Sequence, residues 1–214
     1  MPPVLPPDYD DDPDRWSSWD APQDVHEVIA PELQGPVLDV GCGDGRLAAL
    51  AAARKITWIG VDSSPSQLEA NPYRPVVLAD MRHLPFRDGC VQEVTHLWCL
   101  YHLDDPRLAI AEARRVLRDG GLYFASTSAR DNDPEIMPDG YPPSTFDAEE
   151  AEDIVGSVFD SAEAERWDGT FFPLETREEL RAYCRHNFIP FERADTVEVP
   201  LWLTKRGTVI RARR

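Results

Sequence analysis

Between residues 36 and 128 the chain alternates between two kinds of segment. Short runs rich in Val, Ile and Leu are PVLDV (36–40), ITWIGVD (56–62), RPVVLAD (74–80), CVQEVTHLW (90–98) and GLYFASTS (121–128). The spacers predict helices over 44–55, rich in Ala and Leu, and over 64–71, with Pro65 in the first turn and Pro72 past the end. A third is predicted over 104–121, with Ile110, Ala113 and Leu117 on one stripe and a closing glycine pair. Strands that are apolar on both faces must be covered on both faces, which calls for parallel pairing and helical crossovers. The predicted fold is therefore an α/β, doubly wound sheet with right-handed crossovers. In such a sheet ligands bind at the carboxyl ends of the strands.

The flanks read differently. Residues 1–23 are rich in Pro and Asp without an apolar period, and predict an extended arm ordered through Trp16 and Trp19. A short helix follows over 24–33, with Asp24 as N-cap. Four prolines between 129 and 146 predict a loop. Beyond it lie a helix over 147–159 capped by Asp147, a strand over 162–173, and a helix over 176–187 opened by a Thr176–Glu179 capping box. TVIRARR (208–214) alternates as a closing strand. This gives an arm (1–23) and one domain (24–214), with 129–175 as an insertion or lid.

Charge narrows the partners. The 214 residues carry a formal net charge of −17, and 131–168 holds thirteen acidic residues against Arg166 alone. Nucleic acid and anionic membranes are poor partners for such a surface. No apolar run approaches about 18 residues, and the N-terminus lacks the basic and apolar regions of a secretory signal. The basic run at 205–214 reads as a solvated edge strand or tail. The four cysteines show neither C-x-x-C nor metal-ligand spacing, so no metal is expected and a reduced, cytoplasmic chain fits.

The loop in VLDVGCGDGR (37–46) has two parses. Gly41, Gly43 and Gly45 form G-x-G-x-G. Gly43, Gly45 and Ala48 form the dinucleotide pattern G-x-G-x-x-A. It is not a phosphate-binding G-x-x-x-x-G-K loop. Asp62, ending the second run, is placed to accept both hydroxyls of a ribose. Asp80, ending the third, is placed to accept from an adenine amino group, with Met81 or Leu84 against the ring. Asp39 would face backbone donors or a ligand ammonium. An ammonium, a ribose and an adenine without phosphate describe S-adenosyl-L-methionine.

With those residues in view, the chain resembles the class I S-adenosylmethionine-dependent methyltransferases, in the broad group acting mostly on small molecules. VLDVGCGDGRL, IGVDSSPSQL, ADMRHLPFRDGCVQEV, LWCLYHLDDP and EARRVLRDGGLYFAST match that family's motifs in order over about 37–128. The resemblance implies seven strands, the last antiparallel and placed between the fifth strand and 162–173. It implies that Asp39, Gly41, Cys42 and Gly43 line the methionine end. Asp62 would take the ribose, Ser63 would lie beside the adenine, and Asp80 and Met81 would read its amino face. A carbonyl of His96 or Leu97 would take the ammonium. The chain departs from the family at Val91-Gln92, at His96, where a small residue is usual, and at Tyr101-His102.

Methyl transfer needs a base only when the nucleophile must lose a proton. The candidates are His96, His102 and Tyr101, with His102 read first as a satisfied loop residue. No [DNS]-P-P-[YFW] or Pro-Cys follows the fourth strand, which disfavours amino-group and pyrimidine C5 methylation of those types. Acceptor contacts are expected from Trp16, Trp19, Tyr141, Phe146 and the Trp167–Phe172 region. The competing readings are a non-catalytic S-adenosylmethionine-binding protein and an NAD-dependent oxidoreductase. The latter lacks a Tyr-x-x-x-Lys.

Overall fold

In the computed structural model the described residues are 25–138, 140, 143–187 and 189–214, without the side chains of Phe171, Phe172 and His186. The arm with Trp16 and Trp19, the cap at Asp24, and Tyr141 lie outside them. The strands are β1 (Val37–Val40), β2 (Trp58–Asp62), β3 (Val76–Leu78), β4 (Val91–Leu97), β5 (Leu117–Ser128), β6 (Ala162–Leu174) and β7 (Leu201–Arg213). They form a seven-stranded sheet in the order β3-β2-β1-β4-β5-β7-β6. The first five pair in parallel, and β7 runs antiparallel between β5 and β6. The order reverses between β1 and β4, so the crevice for a ligand opens at their carboxyl ends.

The helices are α1 (Val25–Ile29), α2 (Arg46–Ala53), α3 (Pro65–Ala70), α4 (Arg107–Val116), α5 (Ala151–Phe159), α6 (Arg177–His186) and α7 (Phe191–Thr196). Side chains alternate across a strand, so each strand feeds two cores. Leu38, Val40, Val94 and Ile210 meet Ile110 and Ala113 of α4 and Ile154, Val155 and Phe159 of α5. Val37, Leu97, Phe124 and Val209 meet α1 and α2 through Val25, Ile29, Leu47 and Ala51. Fully burying one such large apolar side chain stabilises the fold by roughly 1.5–3 kcal/mol.

A third core lies where β6 and β7 outrun the sheet. β7 pairs with β5 only from Gly207 to Arg213, but with β6 from Leu201 to Ala212. On that ribbon α6 and α7 pack through Leu174, Leu180, Tyr183, Cys184, Ile189, Ala194 and Leu203. The Thr176–Glu179 capping box is present at the start of α6.

Several expectations are corrected. The helix over 104–121 stops at Val116, because Leu117 turns extended and pairs with Val91 across a register shift. The stretch RDGG therefore runs in β5 and caps nothing. Asp147 does not cap α5. Its Oδ1 accepts the amide of Glu150, 3.1 Å away, in the turn before the helix. Of the stretch 129–175, α5 covers the sheet and β6 is its edge, so both are parts of the fold and not an insertion over it. The basic run is in an interior strand and not at an edge. Arg211 bonds Glu32 and Glu165, and Arg206 bonds Asp131 and Asp168. Helix α7 was not foreseen.

The small core carries a buried charge cluster. Lys205 Nζ lies 2.8 and 2.9 Å from the carboxylate of Asp133 and 2.5 Å from the Tyr183 hydroxyl. The hydroxyl in turn donates to Asp133. Asp133 is 1% exposed, so losing the lysine strands its charge. Lys205→Met is expected to cost about 3 kcal/mol, and Asp133→Leu in the same chain to recover much of that. Urea denaturation midpoints at unchanged slope would measure both.

Candidate functional site

The glycine loop follows β1. Gly41, Gly43 and Gly45 have φ of 77°, 48° and 94°, the left-handed region where a Cβ is strained. Their surroundings differ. A Cβ on Gly41 would sit 2.7 Å from Cys99 Cβ, and one on Gly45 would sit 2.5 Å from Asn71 Oδ1. Both glycines are thus closed from within. At Gly43 the nearest atom is Gln67 Oε1 at 3.6 Å, an ordinary contact, so a Cβ would meet no clash there.

The loop is pinned from β2 and α3. Gly41 and Cys42 donate to Val61 O, at 2.7 and 3.0 Å. Asp62 Oδ2 accepts the Gly43 amide and Oδ1 the Ser64 amide, each at 2.9 Å. Ser64 caps α3, its hydroxyl accepting the Gln67 amide at 3.3 Å. Asn71 Nδ2 donates to Gly43 O at 3.0 Å. Ser63, between these anchors, is exposed. Cys42 is buried, and burial and then the charges of Asp39 and Asp62 push its thiol far up. It is no nucleophile at neutral pH.

Asp39 lies under the loop at 3% exposure. Its partners are neither backbone donors nor open space. Oδ1 accepts from Thr95 Oγ1 at 2.7 Å and Oδ2 from Trp58 Nε1 at 3.1 Å. Burial raises its carboxyl, against those two bonds and the charge of His26. Asp80 is held by Arg82, whose Nε and Nη2 bond it at 2.6–3.0 Å. Those bonds lower its carboxyl. Met81 packs partly against the α4–α5 core. Leu84 is buried in that core, which removes it as a contact for a ring.

His96 and Leu97 end β4 opposite Ala125 and Ser126. His96 is fully buried, with Nδ1 3.0 Å from the Tyr123 hydroxyl. Its Nε2 has no hydrogen-bond partner among the described residues, and burial pushes its pKa down to about 3. The imidazole therefore faces the α5 side through Tyr123, and not a ligand at the methyl position. His102 is half-buried and pushed by burial down to about 4. Burial raises the Tyr101 phenol, and its ring lies 4.5 Å from that of His102. Phe146 is fully buried in the core, so it is no lid residue.

The structure thus brings Asp39, Gly41, Cys42, Gly43, Asp62 and Ser63 around one crevice, with Asp80 and Met81 on the next loop. It turns His96 away. Sequence reasoning missed Thr95 and Trp58, which hold Asp39, and Asn71, which braces the loop. Thr95 lies two residues before Leu97 on the face of Asp39, a signal readable from strand period. Ser64 and Gln67 have capping-box spacing, which announces a helix start and says nothing of a loop brace. The Gln67 amide has no partner among the described residues.

Comparisons with known proteins agree with this geometry. A model described as methyltransferase domain matches residues 38–125, from β1 into β5. An uncharacterized methyltransferase of Mycobacterium sp. (strain KMS) is 38% identical over 94 residues, 42% of this chain and 37% of that protein. The chain spans less than half the length of the curated relatives it matches. The fold is similar to that of the YcgJ protein of Bacillus subtilis, with a TM-score of 0.65 at 16% identity over 88% of this chain and 97% of that one. It is also similar to a SAM-dependent methyltransferase of Archaeoglobus fulgidus, with a TM-score of 0.60 at 17% identity over 88% and 94%. The antiparallel last strand, inserted between β5 and β6, is the arrangement expected of that fold.

Gly41→Ala must displace Cys99 as well as strain φ, so we expect it to destabilise by about 2–4 kcal/mol. Gly43→Ala meets only an ordinary contact with Gln67 and should cost little beyond the strain, about 1–2 kcal/mol, on the same denaturation assay. A pH signature also follows. Unfolded His96 titrates at its ordinary 6.5 and the folded residue at about 3. Its contribution to stability is full above about pH 6.5 and is lost as pH falls from there, by about 1.4 kcal/mol per unit. His96→Asn should flatten the stability profile between about pH 4 and 6 by one proton.

Proposed function

We propose that this chain, which belongs to the class I S-adenosyl-L-methionine-dependent methyltransferases through residues 38–125, transfers a methyl group from S-adenosyl-L-methionine to a small-molecule acceptor. The observation that carries this reading is the bare face of Gly43, held in place by Asp62 and braced by Asn71. It is a cradle that a Cβ would fill, set at the carboxyl end of the strands. Gly41, Cys42 and Gly43, above Asp39, would take the methionine end, and a carbonyl of His96 or Leu97 the ammonium. Asp62 and Ser63 would take the ribose and the adenine edge. Asp80 and Met81 would read the adenine amino face. Asp80 is available for this, because its partner Arg82 is 46% exposed and such surface pairs contribute about 1 kcal/mol or less.

Bound there, S-adenosyl-L-methionine supplies a methyl carbon activated by its sulfonium. The chain's task is to align that carbon with an acceptor and exclude water. None of the three candidate bases suits proton removal at neutral pH. His96 is sealed and weakly basic, His102 is weakly basic, and Tyr101 stays protonated. The reading is therefore of an acceptor that arrives with its lone pair free. The 129–138 loop and Trp167 would cover it. The four cysteines, all free, fit a cytoplasmic setting.

The dinucleotide parse fares worse. Its second glycine, Gly45, should be bare toward a pyrophosphate. Here that side is filled by Asn71. S-adenosylhomocysteine at 100 times its Kd is expected to stabilise the protein by about 2.7 kcal/mol, read as a rise in Tm of several degrees. NAD should give none, and Asp62→Ala should abolish the shift. No shift with either adenosyl ligand, or a shift with NAD alone, would sink the proposal. Binding without turnover across a broad acceptor panel would favour a non-catalytic binding protein.

A further inference from the structure

Trp98 follows the last residue of β4 and has φ of 57°. A residue with a Cβ is strained there by about 1–2 kcal/mol, which glycine would avoid. Its amide is tied to Ser126, 3.3 Å from the carbonyl and 3.2 Å from Oγ. The next residue, Cys99, is the one that closes on Gly41. Trp98 therefore stands at the crevice where the sheet order reverses, one residue from the glycine loop.

Its ring meets that of Trp167 from β6 edge to face, with centroids 6.0 Å apart and planes at 69°. Trp167 reaches this position because Gly207 of β7 has no side chain. A Cβ there would lie 2.2 Å from the Trp167 ring. Both indoles are half-buried, so each keeps outward surface. The two rings form a steep corner next to the loop proposed to hold the methyl donor.

The charges on the strand face of Trp167 and Gly207 are each matched by carboxylates. Arg211 lies between Glu32 and Glu165, at 2.7 and 2.8 Å. Lys205 is held by Asp133 at 2.8 Å. Glu165, two residues from Trp167 on the same face, adds negative charge beside the ring. Two indole faces in a negative field favour positive charge.

We propose that the acceptor is a planar nitrogen heteroaromatic, methylated on its ring nitrogen in the corner between Trp98 and Trp167. This rests on the methyltransferase reading above. The ring nitrogen's lone pair forms the new N–C bond. The S–C bond breaks with its electron pair staying on sulfur. The positive charge passes from sulfur to the ring, and no proton leaves. That matches a site whose nearest histidine on β4, His96, is buried against Tyr123. Charge that appears on the acceptor only as the bond forms is stabilised more in the transition state than in the ground state, which accelerates the step.

Calorimetric titration of the protein saturated with S-adenosylhomocysteine tests this with four probes: quinoline, N-methylquinolinium, naphthalene and naphthalene-2-sulfonate. N-methylquinolinium should bind about tenfold tighter than naphthalene, and the sulfonate weakest. Trp167→Ala should abolish the preference for the cation with S-adenosylhomocysteine binding unchanged. Trp98→Asn should do the same and also relieve the backbone strain, so its Tm should not fall. Labelled methyl should appear on quinoline nitrogen with the wild type. Equal affinity for N-methylquinolinium and naphthalene, or a preference that survives both substitutions, overturns the proposal alone. Failure of S-adenosylhomocysteine to bind the wild type overturns the methyltransferase reading, and this one with it.

Discussion

Asp62 accepts the amide of Gly43 on one carboxylate oxygen and the amide of Ser64 on the other. One group at the end of β2 thereby fixes both the glycine loop and the start of α3. Hydrogen bonds to a charged acceptor contribute about 1.5–3 kcal/mol each, more than a neutral pair. Asn71, at the far end of α3, closes the bracket on the carbonyl of the same glycine. The loop's left-handed φ angles fall on glycines, which adopt them freely, and backbone on either side is held in this way. Gly43 can then present main chain without a side chain in front of it.

That bracket works only on a sheet that does not move beneath it. The two large cores share the strands, one through Leu38 and Val40 and the other through Val37 and Leu97. Asp39 sits between Thr95 and Trp58 on β4 and β2, so the polar group under the loop is bonded across three strands. The ribbon of β6 and β7 has its own core, with the Lys205–Asp133–Tyr183 cluster inside it. The outer ends of β6 and β7 are thus stabilised apart from the part that would hold the methyl donor, whereas Trp167, nearer the sheet, packs with Trp98 on the core that also holds Cys42 and α2.

Much of this is legible in the sequence because it is dictated by local pattern. The apolar runs, the glycine loop and the capping box at Thr176 are short-range signals, and each appears where expected. The misses come from tertiary pairing. Leu117 has a helix former's character, but a strand partner at Val91 outweighs the propensity of one residue. The basic stretch at 205–214 looks solvated until carboxylates from Glu32, Asp131, Glu165 and Asp168 close on it, and all four are more than 30 residues away. Asp39 was expected to seek ligand or backbone donors. Its actual partners, Thr95 and Trp58, meet it only once β1, β2 and β4 are aligned.

His96 shows how burial decides chemistry more firmly than residue type. A histidine at the end of a central strand is the natural candidate for a base. Strand period, however, sends residue 96 to the face opposite Asp39 and Leu97, among Tyr123 and Phe159. There the charged imidazolium loses its hydration, and its pKa falls to about 3. On the methyltransferase reading, proton transfer would then be withdrawn from β4 and the acceptor itself would meet the charge balance. The field that would receive the charge comes from the indoles of Trp98, after β4, and Trp167, on β6, with Glu165 beside the latter.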